Sequence, residues 1–243
     1  NMKAYDLLVQ AESGLSEITG NEAGAARVGV SVCDIAAGMT AFQAITQALF
    51  ARERSGVGRH IGVSLYHALS DWMNVPYLQY VYGNHPPERA GLNHPTIAPY
   101  GVFACGDGKA ILLSIQNERE WASLCETALG DASIAVDPRF SSNPKRVANR
   151  AALDVVMNAV FAGLTREEVV ARLEKARVAY GRVSTLDDLK VHPQNRLVRV
   201  ETPNGPVDML APGATHDGRP LIATRVPALG EHDAALRKEF GKG

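Results

Sequence analysis

The chain has 243 residues and a mass of 26.0 kDa, enough for one large domain or two small ones. With 25 Lys+Arg against 26 Asp+Glu its formal net charge is −1, which lacks the basic excess of a phosphate-binding surface and excludes nucleic acid as an expected partner. No apolar run approaches the ~20 residues of a membrane span, and Cys33, Cys105 and Cys125 have no paired metal-ligand spacing; a soluble, cytoplasmic protein without a metal site is the expectation.

Asn1-Met2-Lys3-Ala4-Tyr5-Asp6 runs straight into Leu7-Leu8-Val9, without the polar lead-in that usually precedes a first buried element. This predicts a missing portion upstream. Residues 28–33 alternate apolar and small polar residues, a strand pattern that ends at Asp34. Ile35 to Arg54 then reads as a helix, with Met39, Phe42, Ile45, Leu49 and Phe50 as its core stripe. Arg52 and Arg54 complement its C-terminal dipole, and Gly56 and Gly58 stop it. A second strand at 61–65 and a second helix at 66–81 complete a strand–helix–strand–helix order, which predicts a parallel α/β sheet.

From Tyr82 to Pro99 four prolines and no periodicity indicate a long loop, a length that is often functional. A hairpin follows, Tyr100–Cys105 and Lys109–Ser114 around Gly106-Asp107-Gly108. Helices are predicted at 118–129, 150–162 and 165–176, the last opened by a Thr165/Glu168 capping box. Short strands and turns then lead to a charged helix at 231–240. The expected division is 1–82 as part of a large α/β domain, 83–185 as a smaller α+β domain, and 186–243 returning to the large one.

Among residues that carry chemistry, Asp34 stands out by position. It lies where a predicted strand meets a helix, the end of an open α/β sheet where ligands bind. A helix N-terminus favours an anionic carboxylate, which suits a nucleophile, but the same position suits a helix cap. Gly20, Gly24, Gly29 and Gly38 are too irregular for a dinucleotide fingerprint, and Ser13-Gly14 and Ser55-Gly56 make no nucleophile elbow. His60, His85 and His94 lack the spacing of a zinc helix, and Cys33 reads as a small apolar residue.

The runs Tyr5–Leu15 with Thr19-Gly20, Val28–Asp34 and Ala51–Gly56 resemble the family III CoA-transferases, the formyl-CoA transferase and carnitine CoA-transferase group. So do Asp137-Pro138-Arg139-Phe140, Val147-Ala148-Asn149-Arg150 and Val226–His232. The resemblance places Asp34 on the family's catalytic aspartate. It implies a carboxylate that attacks an acyl-CoA thioester, forms an acyl-aspartyl anhydride and then an aspartyl-CoA thioester, and passes CoA to an acceptor acid. Coenzyme A thioester is then the substrate, with no bound cofactor. A mobile lid over the site corresponds to Gly91-Leu92-Asn93-His94-Pro95-Thr96. The glycine run of formyl-CoA transferases is absent there, which speaks against formyl or oxalyl specificity.

The related α-methylacyl-CoA racemases use the aspartate for proton transfer beside a histidine, where this chain has Tyr5, and a glutamate for which Gln116 or Glu118 is the nearest match. A transferase is therefore the favoured reading. The stretches Ile115–Trp121 and His94–Tyr100 look closest to members acting on itaconate, mesaconate or citramalate. Arg89, Asn93 and His94 are placed to bind a second carboxylate. The resemblance further implies an interlocked homodimer, a Rossmann-like portion of which this chain lacks the N-terminal part, and apolar faces left uncovered. Two rivals remain: a racemase, and a catalytically silent dimerisation or binding module.

Overall fold

The computed structural model describes residues 3–84, 86–220 and 225–241. Asn1, Met2 and His85, on which sequence expectations were placed, lie outside them. The chain divides into two compact units, Asn1–Val183 and Ser184–Gly243.

The first unit opens with α1 (Asp6–Glu12) and α2 (Leu15–Ile18), a two-residue hairpin β1 (Gly20–Asn21) and β2 (Gly24–Ala25), and the long α3 (Val32–Ser55). Helices α4 (Leu65–Trp72) and α5 (Asn74–Gly83) follow. The predicted strands at 28–33 and 61–65 are not formed. No strand among the described residues lies beside Val28–Ser31; the Val28 N–H instead donates to the Gln10 side chain, and α3 begins at Val32. Alternation of small residues is a weak strand signal when no neighbouring ladder is available. The predicted helix at 66–81 is two helices, broken at Met73.

The parallel sheet is likewise absent among the described residues, where every strand ladder is antiparallel. The main sheet has the order β3 (Tyr100–Ala104), β4 (Ala110–Ser114), β5 (Ala179–Arg182). Its first two strands are the predicted hairpin. Gly106 is required at its turn, because a Cβ there would collide with the Ala162 carbonyl oxygen. Between β4 and β5 come α6 (Glu118–Ser123), continued by a π-helical turn at Leu124–Leu129, then α7 (Ser133–Val136), α8 (Asn143–Ala148), α9 (Arg150–Phe161) and α10 (Arg166–Ala176). The Thr165/Glu168 capping box opens α10 as expected.

These elements enclose the main core. Phe103, Ile111, Leu113, Trp121, Leu153, Met157, Phe161 and Leu173 are buried together, with Phe103 meeting Phe161 edge to face. The N-terminal helices have a much smaller one, Val9, Cys33 and Leu69 backed by Leu15, Val32 and Leu65.

The predicted core stripe of α3 is therefore corrected. Met39 is 62% exposed and Phe42 73%, and Ile45, Leu49 and Phe50 are also exposed. Helix α3 packs on α1 and α4 with Cys33 between Val9 and Leu69; Cys33 and Ala36 are its only buried residues, and the periodic stripe is left uncovered. Tyr77, Leu78, Val81 and Tyr82 of α5 are exposed too.

The second unit contains α11 (Leu186–Lys190), the hairpin β6 (Leu197–Val200) and β7 (Val207–Leu210), the short pair β8 (Thr215–His216) and β9 (Arg219–Pro220), and α12 (Asp233–Phe240). No helix among the described residues is long and apolar enough to cross a membrane.

Candidate active site

Asp34 occupies the third position of α3, inside its first turn rather than ahead of it. Its side chain is exposed and accepts no hydrogen bond from the described residues. It is not the helix cap. The N-cap Ser31 makes no side-chain bond either; a carboxylate oxygen of Asp6 accepts the Cys33 N–H at 2.9 Å instead. The other Asp6 oxygen accepts from Gln10 Nε2 at 2.8 Å, and Gln10 Oε1 accepts the Val28 N–H at 2.9 Å. Cys33 is buried, and its Sγ donates to the Asp6 carbonyl at 3.3 Å. Burial first, then the hydrogen bond and charge of Asp6, push the thiol up to about 11, so Cys33 is no neutral-pH nucleophile.

Six of the seven predicted loop-site residues line one cleft of about 600 Å³: Arg89, Gly91, Leu92, Asn93, His94 and Pro95. Thr96 lies just outside it and donates its N–H to His94 Nδ1 at 3.2 Å. Asp34 is not among the lining residues. The β1–β2 hairpin forms the facing wall through Asn21, Glu22 and Ala23, and the Gly91 N–H donates to Gly20 O at 2.8 Å. Arg89 is already engaged: it pairs with Glu17 at 3.2 Å and donates to the Glu17 and Asn21 carbonyls. His94 stacks on Tyr100, centroids 5.1 Å apart. Asn93 fits over Gly101, where a Cβ would coincide with its Oδ1, so only glycine leaves room for it.

Sequence reasoning missed what holds this loop. Asn143, Arg146 and Arg150, spaced three and four residues apart, bind its backbone in turn. Asn143 donates to Thr96 O at 2.9 Å and accepts the Ala98 N–H at 3.0 Å. Arg146 Nε donates to Ala98 O at 2.7 Å, and Arg150 Nη2 to His94 O at 2.6 Å and Ile97 O at 2.9 Å. Polar residues at helical spacing in 143–150 were the available signal.

Glu118 has a structural role. It accepts two hydrogen bonds from the buried Arg146, at 2.7 and 3.0 Å, which hold its carboxyl below the usual range. Gln116 donates to Ser114 Oγ and its N–H to Glu120. Tyr5 is exposed at the start of α1.

The fold is that of the CaiB/BaiF proteins. A family member from Brucella suis superposes with a TM-score of 0.77 at 31% identity, over 97% of this chain and 62% of that one. Rv3272 from Mycobacterium tuberculosis superposes at 0.81 over 97% and 63%; at 22% identity it bears on fold alone.

The sequence model of CoA-transferase family III matches residues 1–233, and the chain belongs to that family. It is 33% identical to the acetyl-CoA:oxalate CoA-transferase of Acetobacter aceti over 246 residues, 98% of this chain and 61% of that protein. It is 30% identical to the succinate–glutarate CoA-transferase of Agrobacterium fabrum, over 97% and 60%. With the succinyl-CoA:mesaconate CoA-transferase of Haloarcula hispanica the identity is 28%, over 99% and 61%. The chain spans about six tenths of the length of these relatives. The resemblance read from the motifs is borne out.

Proposed function

We propose that the chain carries the nucleophile of a CoA-transferase that moves CoA from an acyl-CoA thioester to a short dicarboxylic acid. The observation that carries this reading is the Asp34 carboxylate in the first turn of α3, exposed and without a hydrogen bond among the described residues, at the position that the motif resemblance assigns to the family's aspartate. The carboxylate attacks the thioester carbonyl and expels CoA thiolate, leaving an acyl-aspartyl anhydride. The thiolate attacks the aspartyl carbonyl, freeing the donor acid and forming aspartyl-CoA thioester. The acceptor carboxylate displaces the thiolate from it, and the thiolate then attacks the acceptor's acyl carbonyl, restoring Asp34. Each tetrahedral step needs hydrogen-bond donors aimed at its oxyanion.

Asn93 and His94 are the proposed acceptor contacts, with Gly91, Leu92, Pro95 and Thr96 as the covering loop. Arg89, paired with Glu17, shapes the cleft wall, and Arg150 supplies a cation without a salt-bridge partner among the described residues. The named acceptors of the relatives, oxalate, glutarate and mesaconate, support a dicarboxylate. The deciding assay follows CoA transfer and α-proton exchange together in deuterated water. Transfer from succinyl-CoA to a dicarboxylate without deuterium incorporation is the expected result; incorporation without transfer establishes the racemase instead.

The exposed stripe Met39, Phe42, Ile45 and Leu49 supports association as the homodimer inferred for the family. Phe42→Glu is expected to lower the mass measured by light scattering at micromolar concentration. An unchanged mass removes this stripe from the interface.

A further inference from the structure

The first turn of an α-helix has N–H groups that its own carbonyls cannot satisfy. In α3 the cap comes from a different helix: the Asp6 carboxylate, in the first turn of α1, binds the N–H of Cys33, the residue next to Asp34. Asp6 is itself held by Gln10, one turn on in α1. Gln10 is fully buried, and its amide is used at both ends, Nε2 on Asp6 and Oε1 on the Val28 N–H. One carboxylate and one amide therefore tie both the approach to α3 and its first turn to α1.

We propose that Asp6, oriented by Gln10, is a positioning residue for Asp34, fixing the direction in which the first turn of α3 presents that carboxylate. This rests on Asp34 being the nucleophile. The hydrogen bonds have a defined polarity: a carboxylate only accepts, so Gln10 must donate to it and accept from Val28. Asp6→Asn forces two donors together unless Gln10 turns over and abandons Val28. Gln10→Glu sets two carboxylates against each other. The double variant Asp6→Asn/Gln10→Glu reverses the central bond, keeps the outer two and gives up only the longer Gln10 Nε2 bond to Val28 O, at 3.5 Å. Its introduced amide accepts the Cys33 N–H and donates to the introduced carboxylate, which still accepts from Val28.

The test measures the rate of acyl or CoA adduct formation on Asp34 from succinyl-CoA by rapid quench and mass spectrometry, beside Cys33 alkylation under native conditions. Each single variant is expected to slow adduct formation roughly ten- to a hundredfold, the scale of a small misplacement, with KM for the thioester within about threefold. The double variant is expected to return to within about threefold of the parent rate, and Cys33 to be alkylated only in the single variants. Singles that form adduct at the parent rate overturn the proposal, and so does a double variant that stays as slow as they do. A parent protein that forms no adduct, with Cys33 protection lost in the singles and regained in the double, removes Asp34 as nucleophile and leaves the relay as the determinant of the first turn. Protection that does not return in the double overturns the relay itself.

Discussion

Replacing Asp34 with asparagine is expected to abolish the proposed CoA transfer, with kcat falling at least roughly 10⁴-fold, the scale seen when a covalent nucleophile is removed. An amide oxygen is isosteric with the carboxylate oxygen but too weak a nucleophile to open the thioester, so binding survives and the covalent step does not. Asp34→Glu keeps the charge but lengthens the arm by one methylene, and a loss of about a hundredfold follows from misplacement alone. Neither change should alter stability by more than about 1 kcal/mol, because the side chain is exposed, makes no hydrogen bond with the described residues, and contributes at most a helix-dipole effect. Steady-state kinetics beside thermal unfolding check both halves. A large fall in kcat with an unchanged midpoint assigns chemistry to Asp34; parallel losses assign it a structural role.

Arg146→Ala is expected to have the largest effect on stability, about 3–5 kcal/mol and roughly 10 °C in unfolding midpoint. The guanidinium is 1% exposed, lies 4.9 Å over the Trp121 ring, and donates to the Ala98 and Phe140 carbonyls as well as to Glu118. Truncation leaves a cavity and orphans both carbonyls, and it releases the middle tie on the 94–98 loop. Glu118 is 56% exposed, so Glu118→Gln should cost far less, within about 1 kcal/mol, the range of solvent-screened pairs. Equal losses in the two variants would place the stabilisation in the ion pair rather than in burial and the carbonyls.

The pH dependence has a defined sign. Arg146 lowers the folded-state pKa of Glu118, so this contribution is complete above the ordinary glutamate value and disappears as pH falls through the lower folded value. Acid unfolding of Glu118→Gln should show a shallower slope in that window.

How much of this was legible depends on whether the signal is local. The hairpin at Gly106-Asp107-Gly108 and the Thr165/Glu168 box are written within a few residues, and both formed where expected. The periodicity of α3 was equally local, but periodicity reports a helix and one apolar face, not what covers that face. Met39 and Phe42 are therefore helical as read and exposed where burial was expected. Val28–Cys33 misled because small alternating residues satisfy a strand pattern equally well as an irregular approach to a helix. The seven residues of α1, Asp6–Glu12, are too short to show a period. Asp34 was singled out by its position and given its expected role by the family motifs, while its place inside the first turn of α3 was not foreseen. The Asn143, Arg146 and Arg150 ties span 45 to 56 residues between side chain and backbone, so their helical spacing marks one polar face but not the loop it binds.

The most direct measurement is to incubate the protein with succinyl-CoA and hydroxylamine, digest it, and locate the modified carboxyl group by mass spectrometry. An activated aspartyl carbonyl is captured as a hydroxamate, and the modification is expected on the peptide containing Asp34, absent without thioester and absent from Asp34→Asn. A protein that turns over acyl-CoA while the Asp34 peptide stays unmodified, or carries the hydroxamate on another carboxylate, contradicts the account.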